Sequence, residues 1–462
     1  MTQTEDFRRQ MPHPLGLRPL HLPEPFETTL ANGLQVVIVE DRRLPLVSFR
    51  LAFRAGDAND PAPLPGLSDM MSHLLTEGTE TRTSRQLAEQ VERIGATLNV
   101  GSGSDFTTVA ASALSIYPGE TLELMADVTL RSTFPQSELD LARENTKQQL
   151  IQQRAQPSFL ASERISKVIF GEHPYARISP TPDSLDAMTR KEMLSFRQAT
   201  MVPNHAVMLV VGDVDHDATL AQITELFGKW ASQSLPERNF PAPPNRAERS
   251  VYLVDRPGSA QSNIVIANLG ITRTSADYFP MLLMHTILGA NASSRLFMNL
   301  REEKGYTYGA YSTLDARRQL GTFRVSAEVR TAVTGVSLHE FFYELGRIRD
   351  EVVSDEEIAN AKAYLTGVFP IRIETQDGLI EQLVSIKMFD LPDDYLLTYR
   401  DQVNAVTAEE ILRVAQSYVT PDRAAIVVVG DAAEISEQIH PHSNVIELFD
   451  TEGRQKAESS RQ

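Results

Sequence analysis

No cysteine occurs among the 462 residues, which excludes disulfides and thiolate metal sites. No run of about 18 apolar residues occurs either, so nothing in the chain reads as a membrane-spanning helix. The stretch from Met1 to Phe26 is polar and proline-bearing and lacks the apolar centre of a secretion signal. The expectation is a soluble chain, cytoplasmic or periplasmic, its compartment unspecified. Positive charge is also scarce: 44 Lys and Arg stand against 61 Asp and Glu, a net charge of -17. Nucleic acid and anionic membrane surfaces both require clustered cations, so neither is expected as a partner. A phosphate-binding loop is missing too, since Gly289-Ala290-Asn291-Ala292 does not continue into the required Gly-Lys-Ser/Thr.

What the chain does contain is a copy of itself. The segment from Met201 to Asp213 (MVPNHAVMLVVGD) returns as Val419 to Asp431 (VTPDRAAIVVVGD). Each copy is a proline-led turn feeding a continuous apolar, β-branched run, the pattern of a strand buried on both faces. A second echo, Ser84-Arg85 and Gly95 against Ser294-Arg295 and Gly305, recurs at a similar offset. Two similar halves follow. Between them Leu235 to Asn245 carries four prolines in eleven residues, which predicts an extended, stiff connector holding the halves at a set distance.

Within each half, strand-like runs precede helix-like ones. The strands are expected at 34–40, 46–54, 250–255 and 262–269, and the helices at 64–75, 84–94, 135–153, 278–288, 293–304 and 355–366. The fold class expected is α+β, two tandem α/β sandwich halves joined by a Pro-rich linker. The division is an arm at 1–26, a first domain at 27–234, a linker at 235–249, a second domain at 250–449 and a tail at 450–462.

The first half holds a catalytic motif with its chemistry removed. Gly66 to Thr79 (GLSDMMSHLLTEGT) has the frame of a zinc-binding H-x-x-E-H helix, but Asp69 stands at the first His and Ser72 at the Glu; only His73 is retained. Two His four apart on a helix share a face and reach one zinc ion, while the Glu takes a proton from the metal-bound water. Asp69 can still offer an oxygen. The hydroxyl of Ser72 is not basic near neutral pH and cannot replace the Glu.

This segment, followed by Ser84 to Gly95 (SRQLAEQVERIG) and Leu98-Asn99, resembles the N-terminal half of M16 metallopeptidases of the pitrilysin and mitochondrial processing peptidase (M16B) type. The resemblance implies a third zinc ligand, a Glu on a later helix, where Gln149 stands, and a supporting Glu two turns earlier, where Ala142 stands. In the second half, Ser294 to Ser312 (SRLFMNLREEKGYTYGAYS) is similar to the M16 segment S-R-L-F-x-x-L-R-x-x-x-G-x-x-Y-x-x-x-S. Its Arg and Tyr, which bind substrate at the zinc, fall on Arg301 and Tyr308. Both groups can donate hydrogen bonds to a developing oxyanion without titrating. Arg301 before Lys304 and Gly305 is also compatible with ordinary helix termination.

The reading is a non-catalytic subunit of a heteromeric M16B peptidase. It binds no zinc itself, and it supplies Arg301, Tyr308 and half of a chamber to a zinc-bearing partner that hydrolyses peptides or unfolded segments. Substrate is expected to add as a strand near 99–112, where Gly101 and Gly103 loosen the pattern. The alternatives are a scaffold subunit with the same fold and no proteolytic role, and an enzyme using another metal at Asp69, His73 and Gln149. His339-Glu340, continuing to Glu344, does not complete H-E-x-x-H and reads as surface helix polarity; His440 and His442, around Pro441, read as a loop.

Overall fold

The computed structural model describes residues 20–235 and 238–456. Most of the expected N-terminal arm, positions 236 and 237 of the linker, and the last six residues of the tail therefore lie outside the described residues.

Two six-stranded sheets form the framework. The first contains β1 (Phe26–Thr29), β2 (Gln35–Glu40), β3 (Leu46–Phe53), β4 (Thr97–Ser102), β5 (Thr107–Leu114) and β6 (Ala206–Gly212), in the order β1-β2-β6-β3-β5-β4. The second contains β7 (Ser250–Asp255), β8 (Gln261–Gly270), β9 (Thr307–Ala316), β10 (Gly321–Arg330), β11 (Ala425–Gly430) and β12 (Val445–Phe449), in the order β12-β7-β11-β8-β10-β9. The two repeated apolar runs are β6 and β11. Each enters between two strands formed far earlier in its half, parallel to one (β2 or β7) and antiparallel to the other (β3 or β8). Every residue of both strands is buried, as their unbroken hydrophobicity requires. The halves differ at the outer edge, where β1 pairs antiparallel with β2 and β12 pairs parallel with β7.

Alternate side chains of these central strands enter different cores. In β6, Met208 and Val210 pack inside the first half, whereas Val207, Leu209 and Val211 join the core of the second. The reason is an exchange of helices. Helix Gln376–Phe389, from the second half, lies on β3 and β6 and places Leu379, Ile380 and Leu383 in the same core as those three residues. Helix Pro157–Phe170, from the first half, lies on β8 and β11, with Leu160, Ala161 and Ile165 against Val265, Val427 and Val429. Burial of each such aliphatic side chain contributes about 1.5–3 kcal/mol, so the halves are joined by a shared interior. This corrects the expectation of halves spaced by a stiff connector. The described part of the linker forms neither helix nor strand, and Phe240 within it packs against His173 of the first half.

The helices fall close to their expected positions at Leu67–Leu74, Ser84–Arg93, Gln136–Arg154, Tyr278–Gly289 and Asp355–Arg372. The exception is 293–304. It is a single α-turn, Arg295–Phe297, running into a π-helical segment, Met298–Glu303.

Candidate functional site

Helix Leu67–Leu74 is set by its N-terminus. Gly66 precedes it at φ +88°, and a Cβ there would stand 2.8 Å from Pro180, so glycine is required twice over. The carboxylate of Asp60 accepts the N–H groups of Gly66, Leu67 and Ser68 at 2.7, 3.1 and 2.9 Å, satisfying donors that a helix start leaves free. Met70, Met71 and Leu74 face the core, which turns Asp69 and His73, one turn apart, outward into a cavity of about 480 Å³. Gln149, from helix Gln136–Arg154, stands on its wall, as do Ser72 and Ala142. The five positions that the motif resemblance picked out thus meet in one cavity. Val100, Gly101 and Ser102 of the sheet-edge strand β4 border it.

The electrostatics of this cavity are set by carboxylates. Asp69 is exposed to the cavity, and the protein crowded around it, which limits its hydration, with the charges of Asp57 and Asp60 nearby, pushes its carboxyl up to about 7. Burial raises Asp60 to about 6. Ser72 is almost wholly buried and its Oγ has no hydrogen-bond partner. Among the described residues no hydrogen bond joins Asp69 to His73, and both side chains remain accessible.

The resident metal implied by the resemblance is zinc, and the donor set does not fit it. A carboxyl with raised proton affinity, a hydroxyl, one imidazole and a neutral amide replace the two imidazoles and two carboxylates that bind and activate water. Among the described residues no three His, Cys, Asp or Glu side chains gather as a metal cluster. No hydrolytic step follows from these residues.

Arg301 and Tyr308 lie elsewhere, in the second half. Arg301 is on the π-helical segment, its guanidinium 4.8 Å over the Phe297 ring and 3.5 Å from Glu302. Gly305, at φ +63°, closes the segment, its N–H reaching the Arg301 carbonyl at 3.1 Å, so the termination reading describes the backbone here. Tyr308 is on β9, the edge strand of the second sheet, where the register with β10 shifts between Ala327 and Val329. Thr307 Oγ1 bridges this bulge, donating to the Glu328 carbonyl at 2.6 Å and accepting from Gly309 N–H at 3.1 Å. The bulge turns the Tyr308 side chain out of the sheet and leaves the residue 86 % exposed. It borders a cavity of about 510 Å³ with Tyr311 and Arg324, separate from that of Asp69 and His73.

The reading of His339-Glu340 to Glu344 as surface helix polarity holds at His339, which is exposed, and fails at Glu344. Glu344 is buried at 3 % exposure, and the Asn299 amide donates to both Glu344 (2.8 Å) and Glu340 (3.0 Å). Carboxylates at i and i+4 share a helix face, and that spacing was the available signal; Asn299 as their partner was not visible. His440 and His442 form a single 3-10 turn, in which the His442 ring stacks on Phe342.

Comparison with known proteins agrees with this architecture. Residues 35–183 match the family described as insulinase (peptidase family M16), and residues 187–365 match the peptidase M16 inactive domain. The chain belongs to the M16 peptidase family. Among its relatives are an uncharacterized zinc protease of Mycobacterium leprae, 26 % identical over 77 % of this chain and 80 % of the relative, and one of Bacillus subtilis, 21 % identical over 87 % and 97 %. The solved structure of a peptidase M16 inactive domain from Pseudomonas fluorescens superposes with a TM-score of 0.81 at 25 % identity, covering 88 % of this chain and 98 % of that one. A protease from Helicobacter pylori superposes with a TM-score of 0.81 at 19 % identity, over 88 % and 100 %, which speaks to the fold.

Proposed function

We propose that this chain is a non-catalytic M16B-type subunit that completes the active site of a zinc-bearing partner. The observation that carries the reading is the cavity at Asp69, Ser72, His73 and Gln149, where the positions of the zinc motif meet with only His73 retained and no base. In this reading the partner supplies zinc, water and base, and the present chain supplies Arg301 and Tyr308 as donors to the scissile carbonyl, with half of the chamber. Tyr308, displayed by a bulge at a sheet edge, is suited to a substrate from another chain. Peptides or unfolded segments are the substrate class, held as an added strand at an open edge.

A scaffold role is the second reading, and Arg301 favours it. Its guanidinium is already engaged with Phe297 and Glu302. The test is a quenched-peptide assay on this chain alone, on a partner with an intact H-x-x-E-H helix, and on the mixture, repeated with Arg301→Ala and Tyr308→Phe. Activity confined to the mixture and lowered by both variants supports the accessory subunit. A mixture no more active than the partner supports the scaffold. Metal-dependent activity from this chain alone would overturn both.

A further inference from the structure

An arginine without a partner lines the cavity that Tyr308 borders. Arg324, in the middle of β10, is half-buried, and that burial holds its proton affinity below that of a free guanidinium. The charge of Asp315 favours it, but Arg317 already donates to Asp315 at 2.8 Å, and Arg317 opposes a second cation nearby. Among the described residues no hydrogen bond or ion pair engages the Arg324 guanidinium. Its nitrogens remain within reach of a ligand, since none is sealed from solvent. Arg295 Nη1, by contrast, is buried without a partner.

The duplication shows that the fold does not require a cation at this place. Val207 of β6 and Ala425 of β11 are one position of the repeat, and each pairs with an alanine, Ala52 or Ala267. Ala52 pairs in turn with Thr108, and Ala267 with Arg324. Beyond them, on the edge strands, stand Gly101 and Thr313. The first half therefore builds the same sheet with a threonine where the second carries Arg324.

The cavity, about 510 Å³, opens beside the edge of the second sheet. Thr313, opposite Arg324 on β9, is short and exposed. The Tyr311 ring folds back over Gly309, where a Cβ would stand 2.5 Å from it, so Thr313 is the side chain between Arg324 and the open edge. A chain adding to β9 would lie about 5 Å beyond it, and its residue opposite Thr313 would point to the face that Thr313 and Arg324 share. Ser158, Ser162 and Ser326 also line the cavity and offer hydroxyl donors.

Charge selects what that residue carries. A carboxylate meets a guanidinium through two parallel hydrogen bonds, each stronger than a neutral amide or carbonyl makes. A basic side chain would face Arg324 and Arg317 with like charge. Glu328, the acid on the cavity wall, stands four residues along β10 from Arg324, about 13 Å, which exceeds the screening length of about 8 Å at physiological salt. Its carboxylate already takes the Asn263 amide at 3.1 Å.

We infer that this chain binds an extended peptide along β9 with an acidic side chain seated on Arg324. Arg324 thereby sets a preference for acidic segments, a specificity role beside the donors Arg301 and Tyr308. The inference rests on the reading of the chain as a peptide-binding subunit and adds the charge of the substrate to it.

The experiment is fluorescence anisotropy on the full chain without a partner. The probe is a Thr/Val peptide of about nine residues, long enough for one strand, with a neutral dye at its N-terminus, an amidated C-terminus and a central Glu. Saturable binding with Kd below about 0.1 mM is expected, about tenfold tighter than for the same peptide with Gln or Lys at its centre. Arg324→Gln should abolish that preference. Thr313→Glu, on the exposed face, should abolish it too by occupying the guanidinium from within the chain, whereas Thr313→Gln should keep it. The Thr313 pair keeps the test decisive should Arg324→Gln fail to fold. No saturable binding, equal affinity for the Glu and Gln peptides, or a preference that survives in Arg324→Gln or Thr313→Glu would overturn the inference. So would affinity equal to that of the Glu peptide for inorganic phosphate, or for the Gln peptide with a free C-terminus, since either would mark a general anion site. The partner is absent from this measurement. A mixture that gains no activity would therefore sink the accessory-subunit reading and leave a binding preference at Arg324 standing, and a missing preference would leave activity of the mixture untouched.

Discussion

Arg50 of β3 donates its Nε to Glu381 of helix Gln376–Phe389 at 2.7 Å, joining the first sheet to a helix of the second half. Its Nη2 reaches Asp377 on the same helix at 3.2 Å, and Ser48 donates to the same Asp377 oxygen at 2.8 Å. The guanidinium is largely buried and the two carboxylates are half exposed, so the cluster is a one-sided anchor for an exchanged helix. Arg50→Ala is expected to lower stability by about 1–3 kcal/mol, through lost pairing and packing of its stem. Urea denaturation measures this; a change below about 0.5 kcal/mol would mean that the apolar contacts alone hold the helix.

The exchanged helices should make unfolding of the two halves one event. Leu160 and Leu379 are each 3 % exposed and each sits in the other half's interior. Either residue changed to Ala should cost about 2–5 kcal/mol. In calorimetry the loss should move a single transition rather than split it. Two separated transitions in the unaltered protein would contradict the shared interior.

Tyr308 makes the opposite prediction for stability. With the side chain in solvent, Tyr308→Phe should change unfolding free energy by less than about 0.5 kcal/mol. If Tyr308 serves a partner's site, the same variant should lower the activity of the mixture by about tenfold or more, in kcat rather than KM.

The raised proton affinity of Asp69 has a definite sign. The folded chain holds its proton up to about pH 7, whereas an unfolded Asp releases it near pH 3.8. Between these values the native state binds the extra proton, so stability falls as pH rises through the window and the penalty is complete above it. Asp69→Asn should therefore stabilise the protein at pH 8 and leave it unchanged at pH 4. Melting temperatures at the two pH values decide this, and equal shifts at both would argue against a raised proton affinity at Asp69.

The cavity around His73 makes a prediction about metal. Asp69→His combined with Gln149→Glu restores two imidazoles and a carboxylate on helices that already face one another across it. The double variant is expected to retain about one zinc per chain after dialysis, measured by atomic absorption, and to remain hydrolytically inactive because Ser72 still provides no base. Absence of zinc would show that these helices no longer hold ligand spacing.

Much of this arrangement is legible in the order of the residues. The apolar runs at 206–212 and 425–430 read as strands buried on both faces because nothing in them alternates, and their similarity reveals the duplication. The frame from Gly66 to Thr79 exposes the substituted motif because helical spacing alone places positions 69 and 73 on one face. The position of Gln149 follows from the motif resemblance, and the fold brings it to the same cavity.

Other features have no local signal. The helices at 157–170 and 376–389 are not among those expected, and which sheet receives each depends on complementary surfaces from opposite halves of the chain. The bulge at Tyr308 arises from mismatched register between two strands, and the burial of Glu344 from Asn299 arriving on another element. Sequence by itself determined several of the strands and helices, the repeat and the substituted motif at 66–79, because each is a matter of spacing along one chain. Only the tertiary structure decided that each half completes the other's interior and that buried polar atoms of Arg295 and Asn299 go unpaired among the described residues, because hydrogen-bond satisfaction is a property of surroundings that the chain assembles only when folded.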